Sequence, residues 1–278
     1  MHPVANHLIQ LQDLILIRDE QRAHKHTQHL EELDDAIKTM TGELPSEAAA
    51  HFNKLYKKDH VTMVPVAQSI CAACGISLPI SLVQAIRQEK DLHNCPNCAR
   101  FLYYPESPVR RKPIREPRFG PRKVGVSRFS SLTLMMPRIK AESLDDVISI
   151  IAGRLDDEGY VDDGGKLAEA ALQRESVFST VVGHGLAFPH VRNVEGGGLT
   201  LALATSSKGL AAECGDRQAP RIVFFMSVPT AANAFYLKLL AGLSETFSKA
   251  EARKQLLAAK DEKELWKVLN KLTRSTIK

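Results

Sequence analysis

The chain has 278 residues, of which 44% are hydrophobic and 25% are charged, and its formal net charge at pH 7 is +5. These proportions are typical of a globular protein and exclude a disordered or fibrous chain, and the length predicts two domains. The longest strongly apolar stretch, residues 222–228, is far shorter than the roughly 20 residues that a membrane-spanning helix needs. The first residues carry no basic segment of the kind that opens a secretory signal. We therefore expect a cytoplasmic protein without membrane insertion.

The first part of the chain has a helical pattern. Residues 4–40 carry apolar residues at heptad spacing near both ends and polar residues between them, which predicts one long helix that stops at Gly42. Residues 47–58 predict a second, shorter amphipathic helix, and the two together predict a helical hairpin. The composition of residues 61–66 is that of a strand.

Four of the five cysteines form two close pairs. Two residues separate Cys71 from Cys74, twenty residues follow, and two residues separate Cys95 from Cys98. This spacing is typical of two turns that supply four thiolates to one tetrahedral Zn²⁺, and in a chain without an export signal it favours metal over disulfides. Because four cysteines leave no open coordination position, we predict one structural zinc ion, with free thiols or redox pairs as the alternative. We interpret the fifth cysteine, Cys214, as an incidental thiol.

The region 1–104 resembles a helical hairpin followed by a C4-type zinc ribbon. The resemblance includes the stretch Cys-Pro-Asn-Cys-Ala-Arg-Phe-Leu-Tyr at residues 95–103. In bacterial proteins of this kind such modules are thought to contact proteins or nucleic acids. The resemblance therefore implies an interaction module stabilised by metal, and it does not identify the partner.

A basic, proline-rich segment comes next. Residues 105–128 contain eight Lys or Arg, two Asp or Glu, and five prolines. Such a composition cannot build a core, so we predict a linker over residues 105–129 between a domain at 1–104 and a domain at 130–278. A contact of this segment with nucleic acid is one hypothesis, and a soluble spacer is the simpler one.

Helices alternate with apolar strands in the second domain, which predicts an α/β fold. Ser143 is a candidate N-cap for the first of its helices. We predict buried strands at residues 199–205 and 221–228. The predicted helices cover residues 141–158, 166–175, 232–247, 249–259 and 261–272.

The stretch 174–192 contains two notable histidines. His184 lies between two glycines, and His190 directly follows Pro189. The proline fixes its own φ and favours extended backbone before it, so His190 can present one ring nitrogen to a partner. From its chemistry alone, His190 is a candidate nucleophile, metal ligand or buried hydrogen-bonded residue.

The same stretch resembles the signature of the enzyme IIA domain of the bacterial phosphoenolpyruvate:sugar phosphotransferase system. The subtype is the mannitol/fructose type, which includes the nitrogen-regulatory IIA proteins. The family pattern, Arg-Glu followed by Gly-x-Gly-x-Ala-x-Pro-His, is supplied here by residues 174–175 and 183–190. The similarity covers residues 131–276 and implies that the C-terminal domain has the IIA fold, a mixed sheet flanked by helices.

The resemblance implies that His190 is transiently phosphorylated. The donor would be the phosphohistidine of the phosphocarrier protein HPr, and the acceptor would be a cysteine on an enzyme IIB, or nothing in a regulatory protein. Arg174 matches the conserved arginine of the family and would supply a guanidinium to the phosphoryl group. His184 is either a further donor or only a turn residue, and we interpret Arg192 as a solvated surface residue.

One departure concerns the second active-site histidine of the family, whose position is taken by Tyr236. A tyrosine hydroxyl can donate a hydrogen bond to phosphate but carries no positive charge at neutral pH. Because the sequence also contains no IIB or membrane IIC segment, we favour a regulatory role. The alternatives are a phosphoryl carrier to a separate IIB in sugar uptake and a non-phosphorylated module whose zinc ribbon binds nucleic acid or protein.

Overall fold

The structure, a computed structural model, describes residues 3–23, 30–67, 69–104, 124–192, 194, 199–213, 218–229 and 232–277. The predicted linker up to residue 123 and Cys214 lie outside these residues. The chain divides into two compact units, Met1–Pro108 and Val109–Lys278. Within the described ranges, no helix combines the length and the apolar character needed to cross a membrane.

Three helices open the first unit: α1 (Pro3–Ala23), α2 (Leu30–Gly42) and α3 (Ser46–Tyr56). The first two pack together in opposite directions, since His7 near the start of α1 contacts the carbonyl of Met40 near the end of α2 at 2.7 Å. The prediction of one helix over residues 4–40 is therefore wrong. The two apolar ends of that stretch bury each other because they belong to two helices that pack side by side, which one continuous helix would not allow.

A buried amide connects α1 to the strand that follows the helices. The side-chain oxygen of Gln12 accepts from the backbone N–H groups of Thr62 (2.6 Å) and Met63 (3.2 Å), and its NH₂ group donates to the carbonyl of His60 (2.9 Å). Because these bonds satisfy the amide, it can be buried without a large cost and can define the register of helix against strand. The surrounding apolar core consists of Leu8, Leu11, Ile15, Ile37, Leu44, Phe52, Met63 and Phe101.

The cysteine region folds as a small ribbon of β1 (Met63–Ala67), β2 (Ile70–Cys71), α4 (Ile80–Gln88), β3 (His93–Asn94) and β4 (Phe101–Tyr103). Its strands lie in the order β2-β1-β4-β3, with β1 parallel to β4 and both outer pairs antiparallel. Two of the predicted zinc ligands belong to the apolar cluster of this ribbon, which consists of Val64, Val66, Cys71, Leu78, Val83, Ile86, Cys95 and Leu102.

In the second unit two 3₁₀ turns, Gly125–Arg128 and Leu132–Leu134, precede a short strand and a capped helix. Ser143 caps α5 as predicted, since its Oγ accepts from the N–H of Asp146 (3.1 Å) while the Asp146 carboxylate accepts from the N–H of Ser143 (2.9 Å). The elements described here are β5 (Met135–Met136), α5 (Leu144–Asp157), α6 (Gly164–Val177), β6 (Val181–Gly183), β7 (Leu186–Ala187), β8 (His190–Arg192), β9 (Thr200–Thr205), β10 (Ile222–Val228), α7 (Asn233–Phe247), α8 (Ala250–Ala258) and α9 (Glu262–Thr273).

These strands form a mixed sheet, which confirms the expected fold class. Its order is β5-β9-β10-β7-β6, and β8 also pairs with β10. Strands β9 and β10 are antiparallel, whereas β7 and β8 run parallel to β10. All residues of β9 and β10 are buried, so both faces at the centre of the sheet are covered, as in other α/β proteins. The strands predicted at residues 199–205 and 221–228 are β9 and β10.

Part of the segment predicted as the end of the linker belongs to the fold of the second unit. Val126 is 1% exposed, and α9 packs against the turn that contains it. Gly125 has a φ of 61°, and a Cβ at this position would lie 3.2 Å from the carbonyl oxygen of Ile277. The left-handed backbone and the close approach both explain why glycine occupies this position.

Candidate functional site

Each cysteine pair lies on a tight turn, and the two turns, residues 71–76 and 95–100, share one hydrogen-bond pattern; we call them the knuckles. In the first knuckle the N–H of Gly75 donates to the carbonyl of Cys71 (2.8 Å), and the N–H of Cys71 donates to the carbonyl of Ile76 (2.9 Å). The second knuckle repeats both bonds at the same offsets, at 2.9 and 2.8 Å. Each knuckle therefore orients its two thiols with its own backbone.

The residue after the second cysteine of each knuckle has a left-handed backbone. The φ angle is 74° at Gly75 and 61° at Ala99. Glycine adopts this conformation freely, whereas it costs an alanine about 1 kcal/mol. A side chain from α3 supports the second knuckle, since Nε2 of His51 donates to the carbonyl of Ala99 (2.7 Å).

The four cysteines of the predicted zinc site come together. Their Sγ atoms all lie within 4.8 Å of one another, and the Sγ–Sγ distance is 3.7 Å from Cys71 to Cys98 and 3.6 Å from Cys74 to Cys95. Four thiolates at about 2.3 Å from a tetrahedral Zn²⁺ would lie about 3.8 Å apart. The donor set and its spacing therefore fit one structural zinc ion held by these four residues, as predicted.

Burial and local hydrogen bonds set the protonation of the metal-free thiols. Desolvation raises the pKa of Cys71 and of Cys95 above the ordinary thiol value. Burial acts in the same direction on Cys74, but hydrogen bonds from the side chain of Asn97 and the backbone of Ile76 outweigh it and lower the pKa of this thiol to about 6. Zinc must therefore displace protons from the two buried thiols, so we expect tighter binding at higher pH.

His190 is the first residue of β8 and pairs with Met226, near the end of β10. Its side chain is 2% exposed, and Nδ1 lies 3.1 Å from the carbonyl oxygen of Phe188. Because a carbonyl oxygen can only accept, this hydrogen bond places the ring proton on Nδ1 and the lone pair of the neutral ring on Nε2. A neutral imidazole nitrogen with a lone pair is a competent nucleophile near pH 7.

Tyr236 lies beside His190, and Arg192 lies over the ring of Tyr236. Tyr236 lies near the start of α7 and is fully buried, and its ring centroid is 5.3 Å from that of His190 at an interplanar angle of 42°. The guanidinium carbon of Arg192 lies 5.0 Å from the same tyrosine ring centroid. We call these three residues the histidine cluster. The guanidinium brings a permanent positive charge to the cluster, because it does not lose its proton in proteins.

Arg174 and Glu175 lie near the end of α6, and their side chains form hydrogen bonds with the loop that leads to β6. Nη1 of Arg174 donates to the carbonyl of Phe178 (2.7 Å). The Glu175 carboxylate accepts from the backbone N–H and the hydroxyl of Thr180, at 2.7 and 2.6 Å. Because α6 packs against β8, Arg174 and His190 lie on neighbouring elements.

His184 occupies the exposed tip of the hairpin between β6 and β7, with a φ of 56°. Leu186, two residues later, pairs with Ile222, whereas His190 pairs with Met226, four residues further along β10. Four residues of extended chain span about 13 Å. The structure therefore does not bring His184 to the histidine cluster, because the intervening residues run along the sheet.

Arg192 is the member of the cluster that sequence reasoning missed. The interpretation as a solvated surface residue is wrong, since the side chain is half-buried and contacts the ring of Tyr236. Residues two apart on a strand share a face, so Arg192 lies on the same face of β8 as His190. This alternation was the available signal, but it is informative only once residues 190–192 are known to be a strand.

Two regions of the chain match families of known proteins. The family described as "Phosphoenolpyruvate-dependent sugar phosphotransferase system, EIIA 2" matches residues 131–272. The family described as "C4-type zinc ribbon domain" matches residues 70–102, which contain the four cysteines.

Individual relatives match the second unit. The fructose-specific EIIABC component of the PTS system of Bacillus subtilis is 33% identical over 132 residues, which are 48% of this chain and 21% of that protein, so the chain spans only a small part of it. The fructose-specific EIIA component of Haloferax volcanii is 27% identical over 144 residues, which are 52% of this chain and 94% of that protein. Among solved structures, the nitrogen regulatory protein IIA-Ntr from Neisseria meningitidis has a TM-score of 0.47 and 21% identity, covering 51% of this chain and 97% of that one.

Proposed function

Because the chain belongs to the EIIA type 2 family of the phosphoenolpyruvate-dependent sugar phosphotransferase system, we propose that it accepts a phosphoryl group on His190. The donor is the phosphohistidine of the carrier protein HPr. The lone pair of Nε2 forms the new nitrogen–phosphorus bond while the bond from phosphorus to the ring nitrogen of HPr breaks.

The observation that carries this proposal is the hydrogen bond between Nδ1 of His190 and the carbonyl of Phe188. It leaves Nε2 as the nitrogen with the lone pair, and it holds the ring in one orientation. As Nε2 bonds to phosphorus, the ring gains positive charge. The carbonyl dipole at Nδ1 stabilises that charge, so the same contact orients the nucleophile and favours the product.

The surroundings of the ring favour a phosphoryl group. Phosphoryl transfer depends mostly on in-line positioning and on cations or N–H donors for the equatorial oxygens. Helix α7, 15 residues long, begins three residues before Tyr236, so its positive N-terminal end lies close to the histidine cluster. Arg174 on α6 and Arg192 on β8 add two guanidinium groups on adjacent elements.

The proposed role of this phosphorylation is regulatory. Tyr236 stands where the family has a second active-site histidine, which removes one source of positive charge for fast, reversible transfer. The chain also matches a C4-type zinc ribbon domain, and the resemblance of this module implies contacts with proteins or nucleic acids. A phosphoryl group adds about 1.5 to 2 negative charges at pH 7, a change that a partner protein at this surface can detect.

The direct test is phosphorylation of the full chain. The protein is mixed with phosphoenolpyruvate, enzyme I and HPr, and its intact mass is followed beside His190→Ala and His184→Ala. We expect one acid-labile phosphoryl group on the wild type and on His184→Ala, and none on His190→Ala. A folded wild type that stays unmodified with a cognate HPr would overturn the proposal and would favour a binding module without phosphotransfer.

A second experiment separates regulation from sugar uptake. The phosphorylated protein is mixed with purified enzyme IIB from the same organism, and the label on both proteins is followed over time. A phosphoryl group that stays on His190 supports a regulatory protein. Rapid transfer to a cysteine of IIB would assign the chain to sugar uptake instead.

A further inference from the structure

We propose that Arg192 supplies the positive charge that holds the phosphoryl group on His190, while Tyr236 serves as the platform that positions Arg192. This inference rests on the proposed phosphorylation of His190. It is carried by one observation, that the ring of Tyr236 contacts both the imidazole of His190 (5.3 Å between centroids) and the guanidinium of Arg192 (5.0 Å).

The geometry places the guanidinium within reach of a group on the imidazole. His190 and Arg192 are two residues apart on β8, so their side chains leave the same face of the strand at Cα atoms about 6.6 Å apart. An arginine side chain is long enough to cover that distance. Because both residues also contact one tyrosine ring, the imidazole and the guanidinium lie on the same side of the sheet.

The charges favour Arg192 over Tyr236 as the group that binds phosphate. A phenol is neutral at pH 7 and offers one hydroxyl donor. A guanidinium stays charged and offers several N–H donors in a planar fork that matches phosphoryl oxygens. The positive charge that a second histidine would supply elsewhere in the family is therefore supplied here from β8, by a residue that does not titrate.

The burial of His190 implies a second role for Arg192, as the side chain that moves when the donor approaches. The imidazole is 2% exposed, so a neighbouring side chain must move before a donor reaches Nε2. Phe188 and Tyr236 are at most 1% exposed and belong to the core, whereas Arg192 is only half-buried. A cation–π contact is weaker than charge-assisted hydrogen bonds to phosphate. Arg192 therefore exchanges the tyrosine ring for phosphoryl oxygens as the group arrives.

The test measures the initial rate of phosphorylation by phospho-HPr at saturating donor, together with the lifetime of the phosphohistidine. The variants are Arg192→Gln, which removes the charge, and Arg192→Lys, which keeps the charge without the planar fork. Arg154→Gln on α5 is the matched control, since it removes the same charge from another element. We expect a loss of about 100-fold for Arg192→Gln, a smaller loss for Arg192→Lys, and the wild-type rate for the control.

A double variant tests whether charge, rather than packing, is the cause. Adding Tyr236→His to Arg192→Gln restores a titratable cation that is charged below about pH 6.5. We expect its rate, divided by the wild-type rate at the same pH, to be higher at about pH 6 than at about pH 8.

Two results would overturn the inference. One is a wild-type rate and phosphohistidine lifetime in Arg192→Gln. The other is an equal loss in Arg192→Lys and Arg192→Gln with no pH-dependent recovery in the double variant, which would assign Arg192 to packing alone. If the wild type itself is not phosphorylated, it is the proposed function that fails, so the two failures are distinguishable.

Discussion

The zinc centre and the histidine cluster are built in different ways. Each zinc knuckle is a few consecutive residues with its own backbone hydrogen bonds, and one pattern serves both knuckles. The histidine cluster instead combines β8 with α7, and His190 meets Tyr236 only because the helix packs on the sheet. A site made of local turns can be predicted from residue spacing, whereas a site made by packing cannot. The following predictions test this difference, from the largest expected effect to the smallest.

Loss of the metal is expected to have the largest effect. Two zinc ligands, Cys71 and Cys95, are themselves part of the small ribbon core, so the metal supplies much of its folding energy, about 10–16 kcal/mol in small zinc modules. We expect Cys95→Ser, or a chelator added to the wild type, to abolish amide protection in β1 and β4. Protection in β9 and β10 should remain, as measured by hydrogen exchange.

The matched control for this experiment is Cys214→Ser, which removes the cysteine outside the quartet. It should retain one zinc ion per chain and wild-type protection of the ribbon. Full protection of β1 and β4 in metal-free protein would contradict the prediction.

Truncation of Tyr236 is expected to have the next largest effect. The side chain is 0% exposed and contacts two members of the cluster, so Tyr236→Ala should lower the free energy of unfolding of the second unit by about 3–5 kcal/mol. Phe235 is the adjacent aromatic residue on the same helix and is 58% exposed. Phe235→Ala should change that free energy by no more than about 0.5 kcal/mol. Similar losses in the two variants, measured by urea unfolding, would disprove the burial argument.

Zinc affinity is expected to depend on pH with a predictable sign. The raised pKa values of Cys71 and Cys95 keep both thiols protonated in the metal-free protein at neutral pH. The zinc-bound state therefore holds fewer protons and becomes more favourable as the pH rises, by about tenfold in affinity per proton released and per pH unit.

Competition with a chromophoric chelator measures this dependence. The two buried thiols alone predict a change of at least about 100-fold per unit near pH 7. The slope should increase below about pH 6, because Cys74 has a pKa of about 6 and is protonated there as well. An affinity that does not change with pH would show that the thiols are already ionised without metal.

The smallest effect distinguishes the two knuckles from each other. Gly75→Ala should lower the stability of the ribbon by about 1 kcal/mol, since the residue has a left-handed φ while a Cβ there would meet nothing within 4 Å. Ala99→Gly should change it by less than about 0.5 kcal/mol, because relief of strain is offset by the greater freedom of the unfolded chain. Thermal unfolding of the zinc-bound protein measures both, and an unaffected Gly75→Ala would contradict the strain argument.

Features encoded by neighbouring residues were predictable. The cysteine quartet, the N-cap at Ser143 and the two central strands at residues 199–205 and 221–228 all follow from short patterns. The helix predicted over residues 4–40 was wrong, because heptad spacing does not distinguish one long helix from two helices that pack against each other. The assignment of His184 to the site stays a prediction, and the structure places this residue at the far end of the hairpin.

The sequence by itself determined the zinc ligands, the family of the second unit and the choice of His190 as the candidate nucleophile, since each depends on residue types at short, fixed spacing. Only the tertiary structure decided that Arg192 is half-buried against Tyr236 beside that histidine. The physical reason is that burial and stacking depend on how α7 packs on the sheet. That packing minimises exposed apolar surface over the whole unit and leaves no signature in the residues next to Arg192.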